Sequence, residues 1–506
     1  MRITNNMITN NTKTNINNNK ILVDKYNNQM TTQKKISKAS EDPVVAIRSL
    51  RLQTNLNHID QYVDNNIPDA ESWLETTSTA LGNMKDILTD IRTQCVNGST
   101  DTLTADDRKT LQQQLGALVD QVYTEGNADY AGRTVFTGYR TSSMLTFQED
   151  TSDTVYEITQ DFDFNDINEH RYYFGATEVP TVVDSTTTDC QTDVSEETLY
   201  RYRLAYEGVD GTNLSLSATD STGATSALTV EVYATQEDWE AASAAGTTFT
   251  SDAVLIEESG EIIFSPDMAD TLKDGEATLS ITYEKTGFDK GEVRPEYYYD
   301  CKDLSLCTRD AAGTWTDLTK QVSYTKENQE INYTIANSTL LTVNTQASDV
   351  FTTDIQRDVE ELISCVEYAI SAHDKVDKIT AMMTETQYAD DESQAKLQTY
   401  LDAAQKEADY ADDNLQKTYG SYITNFDNYL TNVNTAITNV GSMQDRLSLT
   451  KTRVENQQTT ISELKTNNED RDLSDIIIDY YASYNAYTAS LTAAGKLGDQ
   501  TLLNYI

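Results

Sequence analysis

From residue 401 onward, apolar or small residues recur at alternating steps of four and three. They are Leu401, Ala404, Ala408, Ala411, Leu415, Tyr419, Tyr422, Phe426, Tyr429, Val433, Ala436, Val440, Met443 and Leu447, continuing through Thr450, Val454, Gln457, Ile461 and Leu464. A seven-residue repeat held over 401–464 predicts one long coiled-coil helix, because only a partner helix consumes so narrow and so persistent a stripe. At about 1.5 Å rise per residue it would reach roughly 95 Å. The repeat breaks at "TNNEDRDLSD" and resumes two residues out of phase with Leu473, Ile477, Tyr480, Tyr484, Tyr487, Leu491 and Ala494. Such a slip predicts a second helix in a different environment. An upstream helix carries the same rhythm in Ile355, Val359, Leu362, Val366, Ala369, His373 and Val376, which makes His373 a seam residue.

The first 140 residues mirror this plan. Leu52, Leu56, Ile59 and Val63 step by four and three, and beyond Pro68 the stripe returns as Ala70, Leu74, Thr77, Leu81, Met84, Leu88, Ile91 and Cys95. Pro68 is expected to kink this helix through the clash of its ring with the preceding turn. Another helix opens at "TADDRKTLQQQL", where Thr104 and Asp107 have capping-box spacing and Leu111, Leu115, Leu118 and Val122 share a face. Ahead of these, residues 5 to 36 form a weaker helix whose Ile16, Val23, Tyr26 and Met30 are set among Asn and Thr. Too little apolar area is available to hold that segment folded alone, so it needs a partner.

Residues 145 to 348 change rhythm. "TLYRYRLAY", "ALTVEVYA", "ATLSITYE" and "QEINYTI" alternate with period two between Gly and Asp clusters, which predicts half-buried strands in antiparallel sheets. The fold class expected is α+β: an elongated coiled-coil helical rod built from both chain termini, with a β-rich head domain inserted in the middle. The expected boundaries are 1–39 with 470–506 for the terminal helices, 40–145 with 345–469 for the rod, and 146–344 for the head.

Composition narrows the partners. With 38% hydrophobic residues and a formal net charge of -44 in 506 residues, and a mean hydropathy of -0.56, the chain is highly solvated. It is repelled by nucleic-acid phosphates and anionic membrane surfaces. "MRITNNMITNNTKTNINNNK" lacks the cationic region and apolar run of a secretory signal, and no stretch has the ~18–20 apolar residues of a membrane helix. Five scattered cysteines do not make a disulfide framework, although a Cys301–Cys307 pair is left open.

Catalytic and metal chemistry find little support. His58, His170 and His373 are more than a hundred residues apart, and no phosphate loop, dinucleotide turn or nucleophile elbow occurs. "DFDFND" places Asp161, Asp163 and Asn165 like the first ligands of a calcium loop, but Asp166 stands where glycine is needed and Tyr172 where a bidentate glutamate is needed. A turn between strands is the expectation there. No cofactor and no metal are expected. Many of the 30 tyrosines fall on seams and serve packing.

Several stretches carry a family resemblance. "KISKASEDPVVAIRSLRLQTNL" has Ser40, Asp42 and Pro43 in place to cap and start a helix. "NADYAGRTVFTGYRT" sets Gly132, Arg133, Phe136 and Gly138 around a short alternating run suited to a hairpin. "VNTQASDVF", "VGSMQDRL" with Gly441, "EDRDLSD" and the closing "LLNYI" follow in order. Together these resemble the flagellin superfamily, and within it the flagellar hook-filament junction proteins. Glu41, Ser442 and Asp445 depart from the family pattern, and residues 374–412 read as extra helical sequence that either lengthens the rod or forms a side hairpin.

The resemblance implies a non-enzymatic structural adapter, exported through the flagellar type III channel with an export chaperone. It would self-assemble into a ring between the hook-side junction protein (hook-associated protein 1) and the flagellin filament, outside the cell. It further implies that the terminal helices are disordered in the monomer and line an inner tube on assembly. The matching residues are Ile16, Val23, Tyr26 and Met30 with Leu473, Ile477, Tyr480, Tyr484, Tyr487, Leu491, Leu502, Leu503, Tyr505 and Ile506. The apolar run at 502–506 is then one half of a contact surface. The alternatives are a flagellin filament subunit, or an adhesin or enzyme housed in the insert.

Overall fold

A computed structural model describes residues 5–100, 104–175, 178–183, 195–242, 249–310 and 313–499. The helices are α1 (Asn5–Thr32), α2 (Pro43–Gln61), α3 (Ile67–Gly98), α4 (Ala105–Gly126), α5 (Gln236–Ala242), α6 (Pro266–Asp274), α7 (Thr353–Thr384), α8 (Asp391–Glu469) and α9 (Leu473–Asp499). The chain divides into two compact units, one from Met1–Glu71, Asn332–Leu341 and Gln444–Ile506 and the other from Ser72–Ile331 and Thr342–Met443. The first is called the terminal unit below, the second the central unit.

The long repeat is one 79-residue helix, α8. Ala404, Ala408, Ala411, Leu415, Tyr419, Tyr422, Phe426, Val433, Ala436, Val440, Leu447, Thr450 and Val454 are buried along it, as a 4-3 stripe requires. Beyond Val454 the stripe weakens, and Leu464 is exposed. Pro68 does not end the helix it interrupts. A π-turn at Tyr62–Asn66 links α2 to α3, with the Ile67 N–H reaching the Tyr62 carbonyl. The wider turn accommodates a ring that cannot donate a hydrogen bond.

Residues 374–412 form the closed end of a helical hairpin, and their second half is continuous with the long helix. α7 ends at Thr384, a 3-10 turn covers Thr386–Tyr388, and α8 starts at Asp391. Ile379, Met382, Tyr388, Leu397, Tyr400 and Ala404 close its core together with Val183. The α7 stripe steps from Ala369 to Ala372 and Ile379. His373 is therefore off the seam, half-exposed, with Nε2 3.0 Å from Asp412 Oδ2.

The middle is built from strands. They are β1 (Asp129–Tyr130), β2 (Arg133–Thr134), β3 (Thr151–Asp163), β4 (Asn168–Phe174), β5 (Ser195–Arg203), β6 (Val209–Thr219), β7 (Thr225–Leu228), β8 (Val230–Tyr233), β9 (Ala253–Ile256), β10 (Glu261–Phe264), β11 (Thr278–Phe288), β12 (Asp300–Asp303), β13 (Thr308–Arg309), β14 (Trp315–Thr316), β15 (Val322–Tyr324), β16 (Asn332–Ala336) and β17 (Thr339–Thr342). One sheet has the order β15-β12-β3-β11-β6-β7 and another β4-β5-β10-β9-β8. The "ALTVEVYA" run, expected as one strand, splits at Thr229 and contributes β7 to the first sheet and β8 to the second. Asp252 Oδ2 fixes the crossing by accepting from Thr229 N at 2.8 Å and Oγ1 at 2.7 Å. The expectation of purely antiparallel sheets also needs correcting, because β8 pairs with β9 in parallel.

Alternation decides the cores. Leu279, Ile281 and Tyr283 on β11 are buried, and so are Tyr172, Leu199, Val254, Ile256 and Ile263 around Trp239. "DFDFND" is a capped 3-10 turn between β3 and β4: Asp163 accepts from Asn165 N, and Asp166 accepts from Asp163 N, each at 3.0 Å. The hairpin β16–β17 belongs to the terminal unit except for Thr342. Asn66 Nδ2 donates to the Thr334 carbonyl at 2.7 Å, and Arg446 Nη2 to the Leu340 carbonyl at 3.1 Å.

Candidate assembly surface

In the terminal unit α1 packs along α9. The half-buried positions of α1 are Ile8, Thr12, Ile16, Asn19, Val23, Tyr26 and Met30, a 4-3 stripe on an otherwise exposed helix. Facing it, α9 turns in Ile476, Tyr480, Ser483, Tyr487, Ser490 and Ala494. This seam lies beside the one predicted for α9, sharing Tyr480, Tyr487 and Ala494 with it. At the end of the pair Lys34 bridges to Asp470 at 2.5 Å and Glu469 at 3.1 Å. Buried Gln29 donates to the Lys35 carbonyl at 2.6 Å and accepts from Arg471 Nη1 at 3.1 Å, and the Arg471 guanidinium covers the Tyr26 ring. The polar α1 is thus held by one narrow seam and a hydrogen-bonded clasp.

The predicted contact residues divide into three groups. Ile16, Val23, Tyr26, Met30, Tyr480 and Tyr487 are half-buried on the seam. Leu473, Ile477, Tyr484 and Leu491 are exposed on its flank. Leu502, Leu503, Tyr505 and Ile506 lie outside the described residues. Sequence reasoning missed Ile478 (65% exposed), Tyr481 (60%) and Ile21 (57%), together with Leu22. The signal was available in "DIIIDYY": consecutive apolar residues on a helix cannot share one face, so α9 must carry a second stripe.

The motif positions have local reasons. Asp42 Oδ1 accepts from Val44 N at 3.0 Å and Val45 N at 3.1 Å, and Pro43 is the first helical residue, so α2 starts sharply. Ser40 is exposed in the turn before it. β1 and β2 make the expected hairpin around Ala131 (φ 53°) and Gly132 (φ 75°). Arg133 lies over the Trp73 and Tyr130 rings at 5.3 and 5.5 Å. Phe136 is buried edge-on against Phe351, with centroids 4.8 Å apart. Gly138 (φ 60°) suits a left-handed backbone, and a Cβ there would meet Gln329 Oε1, which accepts from Tyr139 N. Gly441, by contrast, has open space around its Cα.

The central unit holds a buried charged layer between β4, β5 and β10 on one side and α7 and α8 on the other. Arg201 pairs with Glu261 and Glu361; Arg203 pairs with Asp358 and, at 3.0 Å, with Glu361. Tyr422 and Tyr429 donate to Glu361 (2.5 Å) and Asp358 (2.8 Å), and Asn425 Nδ2 to Asp358 (3.0 Å). Burial raises the Glu361 carboxyl, but Arg201 and Arg203 outweigh it and hold the group well below the usual range. His170 is pushed down to about 3 by burial and by Arg201. Every carboxylate here is consumed by structure. Cys95 and Cys365 have thiols pushed up to about 12 by burial, and Cys301 and Cys307 are both free, so the pair left open by the sequence is not formed. Among the described residues no cluster of His, Cys, Asp or Glu could hold a metal ion, and no helix is long and apolar enough to cross a membrane.

Residues 3–141 match the family described as the bacterial flagellin N-terminal helical region. The flagellar hook-associated protein 3 of Escherichia coli is 30% identical over 126 residues, 24% of this chain and 38% of that protein. A flagellin of Clostridium tyrobutyricum is 29% identical over 122 residues, 24% of this chain and 32% of that protein. The chain thus spans about a third of the length of the curated relatives it matches. Among solved structures, flagellar hook-associated protein 3 of Legionella pneumophila is similar at 11% identity and a TM-score of 0.30, over 82% of this chain and 97% of that one. FlgL of Xanthomonas campestris is similar at 14% identity and a TM-score of 0.19, over 79% and 99%.

Proposed function

From a chain whose residues 3–141 match the bacterial flagellin N-terminal helical region, we propose a non-enzymatic structural adapter of the bacterial flagellum that joins the hook to the flagellin filament. The observation that carries the proposal is the α1–α9 pair. It brings the two ends of the described chain together and leaves a second apolar stripe on α9 uncovered. A stripe of this kind is an assembly surface, since water-exposed Leu, Ile and Tyr in register on one helix are stabilised only by a further partner. Self-assembly into a ring, with hook-associated protein 1 on one side and flagellin on the other, follows from this reading. So do delivery through the flagellar export channel with a chaperone, and an extracellular location. The terminal-helix, rod and head divisions at 1–39/470–506, 40–145/345–469 and 146–344 belong to the same proposal.

Immunogold labelling tests it: the label is expected in a narrow band at the distal end of the hook. A filament subunit is the second reading, favoured by the comparable similarity to a flagellin. Label along the whole filament would select it. Deletion is expected to leave hooks without filaments and flagellin in the medium; normal filaments would refute the adapter.

A further inference from the structure

The first turns of α2 carry an exposed face that is apolar and basic together. Val44, Ile47 and Leu50 are 67%, 54% and 68% exposed, and Arg48 and Arg51 are exposed beside them. At 3.6 residues per turn these five fall on one side of the helix. The opposite side, with Val45, Ser49 and Gln53, is turned to α8, where Ser49 bonds Glu469, Lys465 bonds Gln53, and Asn468 Nδ2 donates to the Val45 carbonyl at 3.1 Å. The first turns of α9 expose the complementary combination. Leu473, Ile477, Ile478 and Tyr481 are uncovered, and the carboxylates of Asp472 and Asp475 are exposed with them.

We propose that the Val44–Arg51 face of one copy seats the Leu473–Tyr481 turns of a second copy of this chain. The inference rests on the self-assembly reading above and gives it a specific contact. Two features favour a second copy as occupant. First, one face is apolar with cations and the other apolar with carboxylates, so they match in both hydrophobicity and sign. Secondly, the unit that carries both faces has 15 Lys and Arg against 16 Asp and Glu, whereas the central unit has 23 against 66. Two copies therefore meet without like-charge repulsion only through the terminal unit. Because the two faces are different surfaces, the contact is heterologous. It repeats from copy to copy and builds a ring or a helical array instead of closing as a two-fold dimer.

A charge swap on the full chain tests the contact. Arg48→Glu with Arg51→Glu gives one variant; Ser474→Arg with Asp475→Arg gives the other. Sedimentation velocity is expected to show the native chain associating, and each variant needing at least ~10-fold more protein to do so. An equimolar mixture of the two is expected to associate like the native chain, because each reversed face then finds its match. Circular dichroism checks that both variants keep their helices. The proposal is overturned if either variant associates normally, if the mixture stays dispersed, or if the native chain remains monomeric. These outcomes are independent of the immunogold result: a hook-end label with a null charge swap sinks only this contact, and a filament-wide label with a positive swap sinks only the adapter role.

Discussion

The two units spend their hydrophobic residues in opposite ways. Among the described residues, 15 of the 23 exposed large hydrophobic side chains lie in the terminal unit, which is much the smaller. The central unit buries nearly all of its own around Trp73, Tyr172, Tyr283, Phe264, Phe288, Phe351 and Phe426, and carries almost the whole negative charge. A unit that is charged outside and packed inside is complete by itself. A unit that is near-neutral and apolar outside has the character of the assembly interface proposed above. The difference teaches that the acidity of the chain as a whole is misleading about the part proposed to assemble.

The contrast breaks most clearly at a single buried cation. Arg201→Met leaves Glu261 buried without its cation and Glu361 with only Arg203 to balance it, and removing one member of a buried pair typically costs ~3–5 kcal/mol. Thermal unfolding of the central unit is expected to shift down accordingly. Ile478→Ala, on the exposed stripe, is expected to leave monomer stability within about 0.5 kcal/mol while weakening association. Equal losses at the two sites would erase the distinction between a finished unit and an unfinished one.

Acid sharpens it next. The folded His170 is held near 3 against an unfolded value near 6.5. A depressed pKa contributes stability that is fully present above the unfolded value and is lost as pH falls through the folded one. The groups facing it are Arg201, Arg203 and Glu361, and the two arginines oppose its protonation. The melting temperature of the native chain is therefore expected to fall between pH 6.5 and pH 3 more steeply than that of His170→Asn. Parallel curves would show that the imidazole stays neutral for no energetic reason.

A smaller effect is expected at the motif hairpin. Gly138→Ala must hold an L-residue at φ 60° and push Gln329 aside, and a strained backbone position costs on the order of 1–3 kcal/mol. The loss should appear as a lower melting temperature with no change in helix content. An unchanged melting temperature would mean that the Gln329 contact with Tyr139 is dispensable.

The helical frame was legible because its signals are local and periodic. Asp42–Pro43 and Thr104 with Asp107 announce helix starts by chemistry alone, and the α8 stripe holds its register through 13 buried positions. What was not legible depended on the partner. The α9 seam is set by α1, and a helix with two apolar stripes offers a reader two registers of equal merit. The parallel β8–β9 pair and the strand switch at Thr229 depend on Asp252, 23 residues further along, which periodicity cannot foresee. The charged layer was invisible for the same reason: Arg201, Arg203, Asp358 and Glu361 look like ordinary solvated charges until β5 is laid against α7. Pro68 was over-read, since the proline rule speaks of a regular α-helix and this one widens to a π-turn first.

Gly441 is the finest probe of the comparison. It lies inside α8, where glycine is worse than alanine by about 0.5–1 kcal/mol. Among the described residues, nothing beyond the helix's own backbone comes within 4 Å of a Cβ placed there, so the substitution has no steric cost in the monomer. Gly441→Ala is thus expected to raise the melting temperature slightly. If the glycine instead serves the close approach of another copy to α8, the same variant will be a more stable monomer that associates less well. A stabilised variant with native association would show that Gly441 answers to no packing demand, within the chain or between copies. A destabilised monomer would show that the open space around it is occupied after all.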